Sequence, residues 1–251
     1  MTKTIRDWFA SYNLLIFDEI DSTNDEARRL VEEGVAGDFI VWSKKQLKGK
    51  GRYGRQWISP EGNLYLSILL AQPIESSLAA QLSFVTAVAA GEALSSIVGA
   101  DRIGYKWPND VLLNGKKLAG ILLESQSVAS STVLDFLVIG IGINIKNFPE
   151  GTDYPATSMQ AEGAVSIIND QMLDIFMQHF CYWRKQWQER GFELIREMWL
   201  ERAINRGQVI TVNTPNERLS GVFETLQADG SLELKLAGGQ VCKIASGEVY
   251  F

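Results

Sequence analysis

The sequence predicts an α+β protein, a mixed β-sheet with flanking helices followed by a small β-barrel of the SH3 type. Strand-like and helix-like segments follow one another without strict βαβ alternation, which argues against a purely parallel α/β fold. Past Asn205, five short strand-like segments separated by turn signals crowd into fewer than fifty residues. The length of 251 residues exceeds the common single-domain size and suits one large domain with a small appendage. The expected division is 1–204 for the main domain and 205–251 for the barrel.

Taken in order, LLIFDEI (Leu14 to Ile20) opens as an apolar strand. DSTNDEARRLVEEG follows as a short helix. Ser22 or Thr23 can cap it, Glu26 completes a capping box with Thr23, Ala27, Leu30 and Val31 form the buried stripe, and Gly34 ends it. FIVWS (Phe39 to Ser43) and NLYLSILLA (Asn63 to Ala71) are strands, and Ser76 to Val98 contains a long helix rich in Ala and Leu. IGYKW (Ile103 to Trp107) is a strand stopped by Pro108. DVLLNGKKLAGILLES then reads as a hairpin turning at Asn114-Gly115. Another strand lies within Thr132 to Ile145, and two helical stretches between Ser166 and Glu201 part near Gly191.

Composition excludes several classes. The chain is 46% apolar and 22% charged with a net charge of −6, a poor fit to disorder or to coating a nucleic acid by charge. Apolar runs such as Leu64 to Ala71 fall short of the roughly 20 residues of a membrane helix, and the N-terminus lacks a secretory apolar core. A cytoplasmic protein is therefore expected, with Cys181 and Cys242 as thiols. The single histidine, His179, sits in a helix-like apolar pattern and reads as packed or at a rim. So few His and Cys residues leave little for a zinc cluster or a Ser/His/Asp site, and no protein-held metal is expected. Chemistry must rest on Lys, Arg, Asp and backbone amides.

The segment KKQLKGKGRYGRQW (Lys44 to Trp57) holds six positive residues and no acid, leaving the rest of the chain at −12. A local positive focus in an acidic chain indicates an anion site, although a solvated loop would carry the same charges. Gly49, Gly51 and Gly54 allow backbone N–H groups close to a ligand, and the arginines offer forked donors. GKGRYG matches G-x-G-x-x-G, but a strand rather than a helix follows, so a dinucleotide fold is rejected. Like charges and glycines together predict a segment that is mobile alone and closes on a ligand.

VIGIGINI (Val138 to Ile145) alternates strictly, placing Gly140, Gly142 and Asn144 on one strand face. A bare interior face calls for something to fill it, either a flat ligand or a closely packed helix. KWPND sets Lys106, Trp107, Asn109 and Asp110 at a strand end, and the hairpin returns Lys117 beside Ala119-Gly120.

DSTN, Gln46 with GKGRYGRQW, KWPND, KLAGILLE and GIGIN, in this order, resemble the biotin protein ligases, the biotin–[acetyl-CoA-carboxylase] ligases. The resemblance spans about Phe17 to Ile145, and the C-terminal barrel suits that family's small last domain. It implies that a biotin carboxylate attacks the α-phosphate of ATP to give biotinyl-5′-AMP and pyrophosphate. A lysine of a carboxyl-carrier domain then attacks the mixed anhydride. Mg²⁺ would accompany ATP. Residue by residue, the resemblance implies catalytic roles for Lys117 and Arg52. It implies biotin contacts at Ser22, Thr23, Asn24, Gln46, Lys50, Gly51, Arg52, Lys117, Gly120, Gly140 and Gly142. It implies nucleotide contacts at Arg52, Arg55, Trp57, Trp107, Asn109, Lys117 and Asn144.

The family's loop is often GRGRRGR, whereas here Lys50 and Tyr53 replace two arginines, keeping one charge without its fork and losing the other. Only thirteen residues precede Leu14, too few for the DNA-binding domain of some members, so no DNA and no membrane partner is expected. A monomer or homodimer is expected, acting on a biotin carboxyl carrier. The alternatives are a lipoate-type ligase of the same superfamily or a non-catalytic biotin-sensing module.

Overall fold

The computed structural model describes residues 4–8, 12–126, 132–152, 154–164 and 167–250. Two compact units make up the chain, residues 1–79 with 116–175 and residues 80–115 with 176–251.

In the first unit the strands are β1 (Thr4–Trp8), β2 (Tyr12–Phe17), β3 (Asp38–Ser43), β4 (Leu64–Leu70), β5 (Ile74–Glu75), β8 (Lys116–Gln126), β9 (Val133–Leu134) and β10 (Phe136–Ile143). Six of them hydrogen-bond in the order β1-β2-β3-β4-β10-β8. Only β2 and β3 run parallel; the other neighbours are antiparallel, so the sheet is mixed as expected. The parallel pair needs a crossover, and α1 (Thr23–Glu32) supplies it.

Helix α1 lays Ala27 and Leu30 on the sheet among Leu15, Phe17, Phe39, Val41, Leu69 and Val138. Its cap differs from the expected one. Ser22 is the N-cap and accepts from the Asp25 amide at 3.4 Å, while Glu26 pairs with Arg29 rather than closing a capping box with Thr23. Glu26 has a better partner one turn ahead, so Thr23 is left to face the sheet. Gly34, at φ 71°, ends the helix as predicted: its N–H and that of Val35 reach the Val31 and Leu30 carbonyls.

The second unit holds α3 (Gln81–Val98), which follows the short α2 (Ser76–Ala79) of the first unit. It also holds the antiparallel pair β6 (Ile103–Lys106) and β7 (Asp110–Leu113), most of α4 (Asn169–Arg190), and α5 (Phe192–Glu201). Asn114 and Gly115 both take positive φ, 50° and 74°, the turn predicted between β7 and β8. Residues 76–98 form one helical stretch long and apolar enough to cross a membrane by those measures alone, yet 72% of it is buried inside the protein. Phe84 on α3 meets Phe192 and Trp199 of α5 edge to face, each with centroids 5.6 Å apart. Gly91 in mid-helix makes room for the Tyr105 hydroxyl, which would lie 2.0 Å from a Cβ there.

The predicted C-terminal strands are β11 (Val209–Asn213), β12 (Arg218–Leu226), β13 (Leu232–Leu236), β14 (Val241–Ile244) and β15 (Glu248–Tyr250). They form an antiparallel sheet in the order β14-β13-β12-β11-β15. The expected barrel is therefore not closed, since no pairing joins β14 to β15 among the described residues.

Candidate active site

Of the predicted pocket residues of the first unit, Asn24, Trp57, Gly120, Gly140 and Gly142 meet on one face of its sheet. Register explains how: Gly140 on β10 lies opposite Ser67 of β4 and Leu122 of β8, and Gly142 lies opposite Tyr65 and Gly120. Side chains of this chain fill the bare glycine face, one of them from the start of a helix, as the packing reading expects. A Cβ on Gly140 would stand 2.3 Å from Asn24 Oδ1, so the Asn24 amide at the start of α1 rests directly on that glycine. A Cβ on Gly142 would stand 2.4 Å from Trp57 Nε1, and one on Gly120 2.9 Å from the same indole. Trp57 thus lies over the floor; its Nε1–H is buried and has no hydrogen-bond acceptor among the described residues. Lys117 Nζ stands 5.4 Å from the centre of that indole, at the edge of the same floor.

Beside the floor, α1 and the basic loop build a polar pocket. Ser22, Thr23 and Asn24 are all nearly fully buried. Gln46 Oε1 accepts from the Thr23 amide at 2.8 Å, and its Nε2 donates to Ser59 Oγ at 3.0 Å. Ser67 Oγ lies 2.8 Å from Thr23 Oγ1 and 2.5 Å from Asn24 Oδ1. Asn24 Nδ2 donates to Glu124 at 2.7 Å. Sequence reasoning gave no role to Ser67 or Glu124. Ser67 is the one small polar residue in the wholly buried β4, and Glu124 shares a face of β8 with Gly120 and Leu122, signals that were available.

The basic loop is less isolated than its charges suggest. Lys44 pairs with Asp18 at 2.8 Å, Lys45 with Glu19 at 2.5 Å, and Lys50 with Asp25, with Glu124 3.9 Å away. At least three of the six positive charges thus meet acids from outside the segment, which corrects the premise that like charges there repel unopposed. Burial would raise the Asp25 carboxyl, but hydrogen bonds from Lys50 and Arg28 outweigh it and hold it below the usual value. Backbone bonds also order the loop, from Lys48 N–H to Asp21, Trp57 N–H to Gly49 and Gly51 N–H to Arg55. Tyr53 stands where the family often has arginine. Its hydroxyl accepts from Arg52 at 3.1 Å, and its ring lies under the guanidinium groups of Arg52 and Arg55, at 4.9 and 5.9 Å. The loss of one cation is accompanied by a platform that orders the two that remain.

Asn144 is buried and serves the frame: its amide donates to the Thr157 carbonyl at 3.1 Å. Asn63, unremarked in the sequence, accepts from the backbone amides of Ile145, Lys146 and Asn147 and so fixes the turn after β10. Trp107 and Asn109 belong to the second unit. There Trp107 is buried, and its Nε1–H donates to the Gly230 carbonyl at 3.1 Å. His179, in the second unit, lines a surface hollow with Glu92, Gln178, Tyr182 and Trp183, in keeping with a rim position.

Residues 16–144 match the Biotin/lipoate A/B protein ligase family, and residues 207–251 match the Biotin protein ligase C terminal domain. The biotin–[acetyl-CoA-carboxylase] ligase of Paracoccus denitrificans is 39% identical over 92% of this chain and 97% of its own. The chain belongs to the biotin protein ligase family. Among solved biotin protein ligases, that of Aquifex aeolicus in complex with biotin and ATP superposes with a TM-score of 0.78 at 28% identity, covering 94% of this chain and 97% of that one. That of Leishmania major in complex with biotinyl-5-AMP gives 0.66 at 26%, covering 93% and 98%.

Proposed function

We propose that the protein is an ATP-dependent biotin–[acetyl-CoA-carboxylase] ligase. The biotin carboxylate oxygen attacks the α-phosphorus of ATP, forming biotinyl-5′-AMP as the bond to pyrophosphate breaks. A carrier-domain lysine amine then attacks the acyl carbon, forming the amide and releasing AMP. One observation carries the reading: the hydroxyl and amide groups of Thr23, Asn24 and Ser67 over Gly140 adjoin a floor of Gly120, Gly142 and Trp57 with Lys117 at its edge. The pocket suits the ureido head, which carries both donors and an acceptor. Lys117 and Arg52 suit the carboxylate and α-phosphate, whose combined negative charge must be neutralised as they approach.

No protein nucleophile is needed, because the attacking groups belong to the substrates and the protein supplies charge and position. Among the described residues no three His, Cys, Asp or Glu side chains gather as a cation site, so Mg²⁺ is assigned to the ATP phosphates. A cytoplasmic enzyme without DNA or membrane partners, monomeric or dimeric, acting on a biotin carboxyl carrier, completes the proposal.

The test is ATP-dependent transfer of biotin to a carrier-domain lysine, with pyrophosphate release followed alongside. Biotin should support both. Pyrophosphate release with lipoate but not biotin would make the protein a lipoate-type ligase, and biotin binding without turnover would make it a sensor.

A further inference from the structure

We propose that Glu124 is a positioning residue that sets the donor–acceptor direction of the head-group pocket by acting through Asn24. The inference rests on the reading of that pocket as the biotin site. A primary amide has nearly the same shape when turned over, so the fit of Asn24 against Gly140 does not fix which end points where. Its neighbours do. The Glu124 carboxylate only accepts, and at 2.7 Å it draws Asn24 Nδ2 toward β8. Oδ1 then faces Ser67 and only accepts, so the Ser67 proton points to Asn24 across 2.5 Å. The 2.8 Å contact between Ser67 and Thr23 then uses the Thr23 proton, drawing it away from Gln46 Oε1, 3.1 Å from Thr23 Oγ1. Gln46 Oε1 is served by the Thr23 amide at 2.8 Å, its Nε2 donates to Ser59, and Ser59 donates to the Trp57 carbonyl at 2.7 Å.

One carboxylate thus orders Asn24, Ser67 and the Thr23 hydroxyl, while the Thr23 backbone amide separately fixes Gln46. Among the valences left for a ligand are the second Asn24 amide proton, a donor, and a Thr23 hydroxyl lone pair, an acceptor. They complement a ureido carbonyl and a ureido N–H. With a glutamine at 124 the shape is kept, but its amide can give or take a proton. Asn24 can then turn over, and the pocket presents two patterns in place of one. Lys50, 3.9 Å from Glu124, offers that carboxylate a second route of action, and the test separates the two.

The experiment measures the KM for biotin in biotin-dependent ATP–pyrophosphate exchange, at saturating ATP, for the full chain. Glu124→Gln should raise it about ten- to a hundred-fold, the range of a hydrogen bond to a charged group, with kcat and the KM for ATP little changed. In an Asn24→Ala background the same substitution should change the biotin KM by less than about twofold. In a Lys50→Met background the full effect should persist. An unchanged biotin KM in Glu124→Gln, equal effects with and without Asn24, or an effect that vanishes with Lys50 would each overturn the proposal. Absence of biotin-dependent exchange in the unaltered protein would instead remove the functional reading on which it rests.

Discussion

At the scale of single residues, the two floor glycines are separable. Gly140→Ala drives a methyl into the Asn24 amide, whereas Gly142→Ala drives one into the Trp57 indole. The first should weaken biotin binding with little change in the KM for ATP. The second should act in the reverse sense, and isothermal titration with each ligand distinguishes them. Lys117→Ala removes the ammonium at the edge of the floor. Loss of one such donor in a closed site costs about 3–4 kcal/mol of transition-state stabilisation, roughly 10²–10³ in rate. Biotinyl-AMP formation should suffer by that factor and transfer from supplied biotinyl-AMP far less, as single-turnover measurement of the two half-reactions will show. The floor of this site was legible in the sequence because strict alternation in VIGIGINI marks a bare strand face. What occupies that face was not legible, since Asn24 and Trp57 reach it from segments far away in the chain.

At the scale of elements, α1 is tied to the basic loop through Asp21. Its carboxylate receives both Arg29 NH groups, at 2.8 and 3.0 Å, and its carbonyl accepts from the Lys48 amide. The Arg29 hydrogen bonds hold the Asp21 carboxyl down, from 3.8 to about 2. A depressed carboxylate stabilises the fold above its unfolded pKa and ceases to do so as pH falls through the folded one. The Asp21 contribution should therefore be complete above about pH 5 and fade between pH 4 and pH 2, reduced in size because the group is partly exposed. Asp21→Asn should lower Tm slightly at neutral pH and flatten the acid limb of a Tm-against-pH curve between pH 4 and pH 2; an unchanged limb would place the titration elsewhere. Element boundaries were largely predictable, from Gly34 and Gly191 at positive φ to Pro108 after β6. Strand β1 was not, because TIRDW carries two charges in five residues and shows no apolar run. The cap was misread because Glu26 matches a local motif while Arg29, three residues on, binds it more strongly.

At the scale of the whole molecule, the cysteines play no part in the chemistry proposed. Both are thiols; Cys181 lies on α4, where burial raises its pKa and so disfavours the thiolate, and Cys242 lies on β14. The double substitution Cys181→Ser and Cys242→Ser should leave biotin transfer within about twofold, and loss of activity in a variant with an unchanged circular-dichroism spectrum would refute a purely electrostatic mechanism. Fold class and the order of motifs were readable because each is written in local patterns. The chain leaves the first unit near Ala79, returns at Lys116 and departs again near Ile175, and no shift in composition marks those crossings.

The indole lying on Gly120 and Gly142 also bears on the thermodynamics of recognition. A ligand that reaches this floor exchanges places with apolar surface already covering it, so the net apolar area withdrawn from water is smaller than the ligand's own footprint. The heat capacity of binding tracks that net area and should be only modestly negative, whereas with alanine in place of Trp57 the same ligand meets uncovered floor and the value should become more negative.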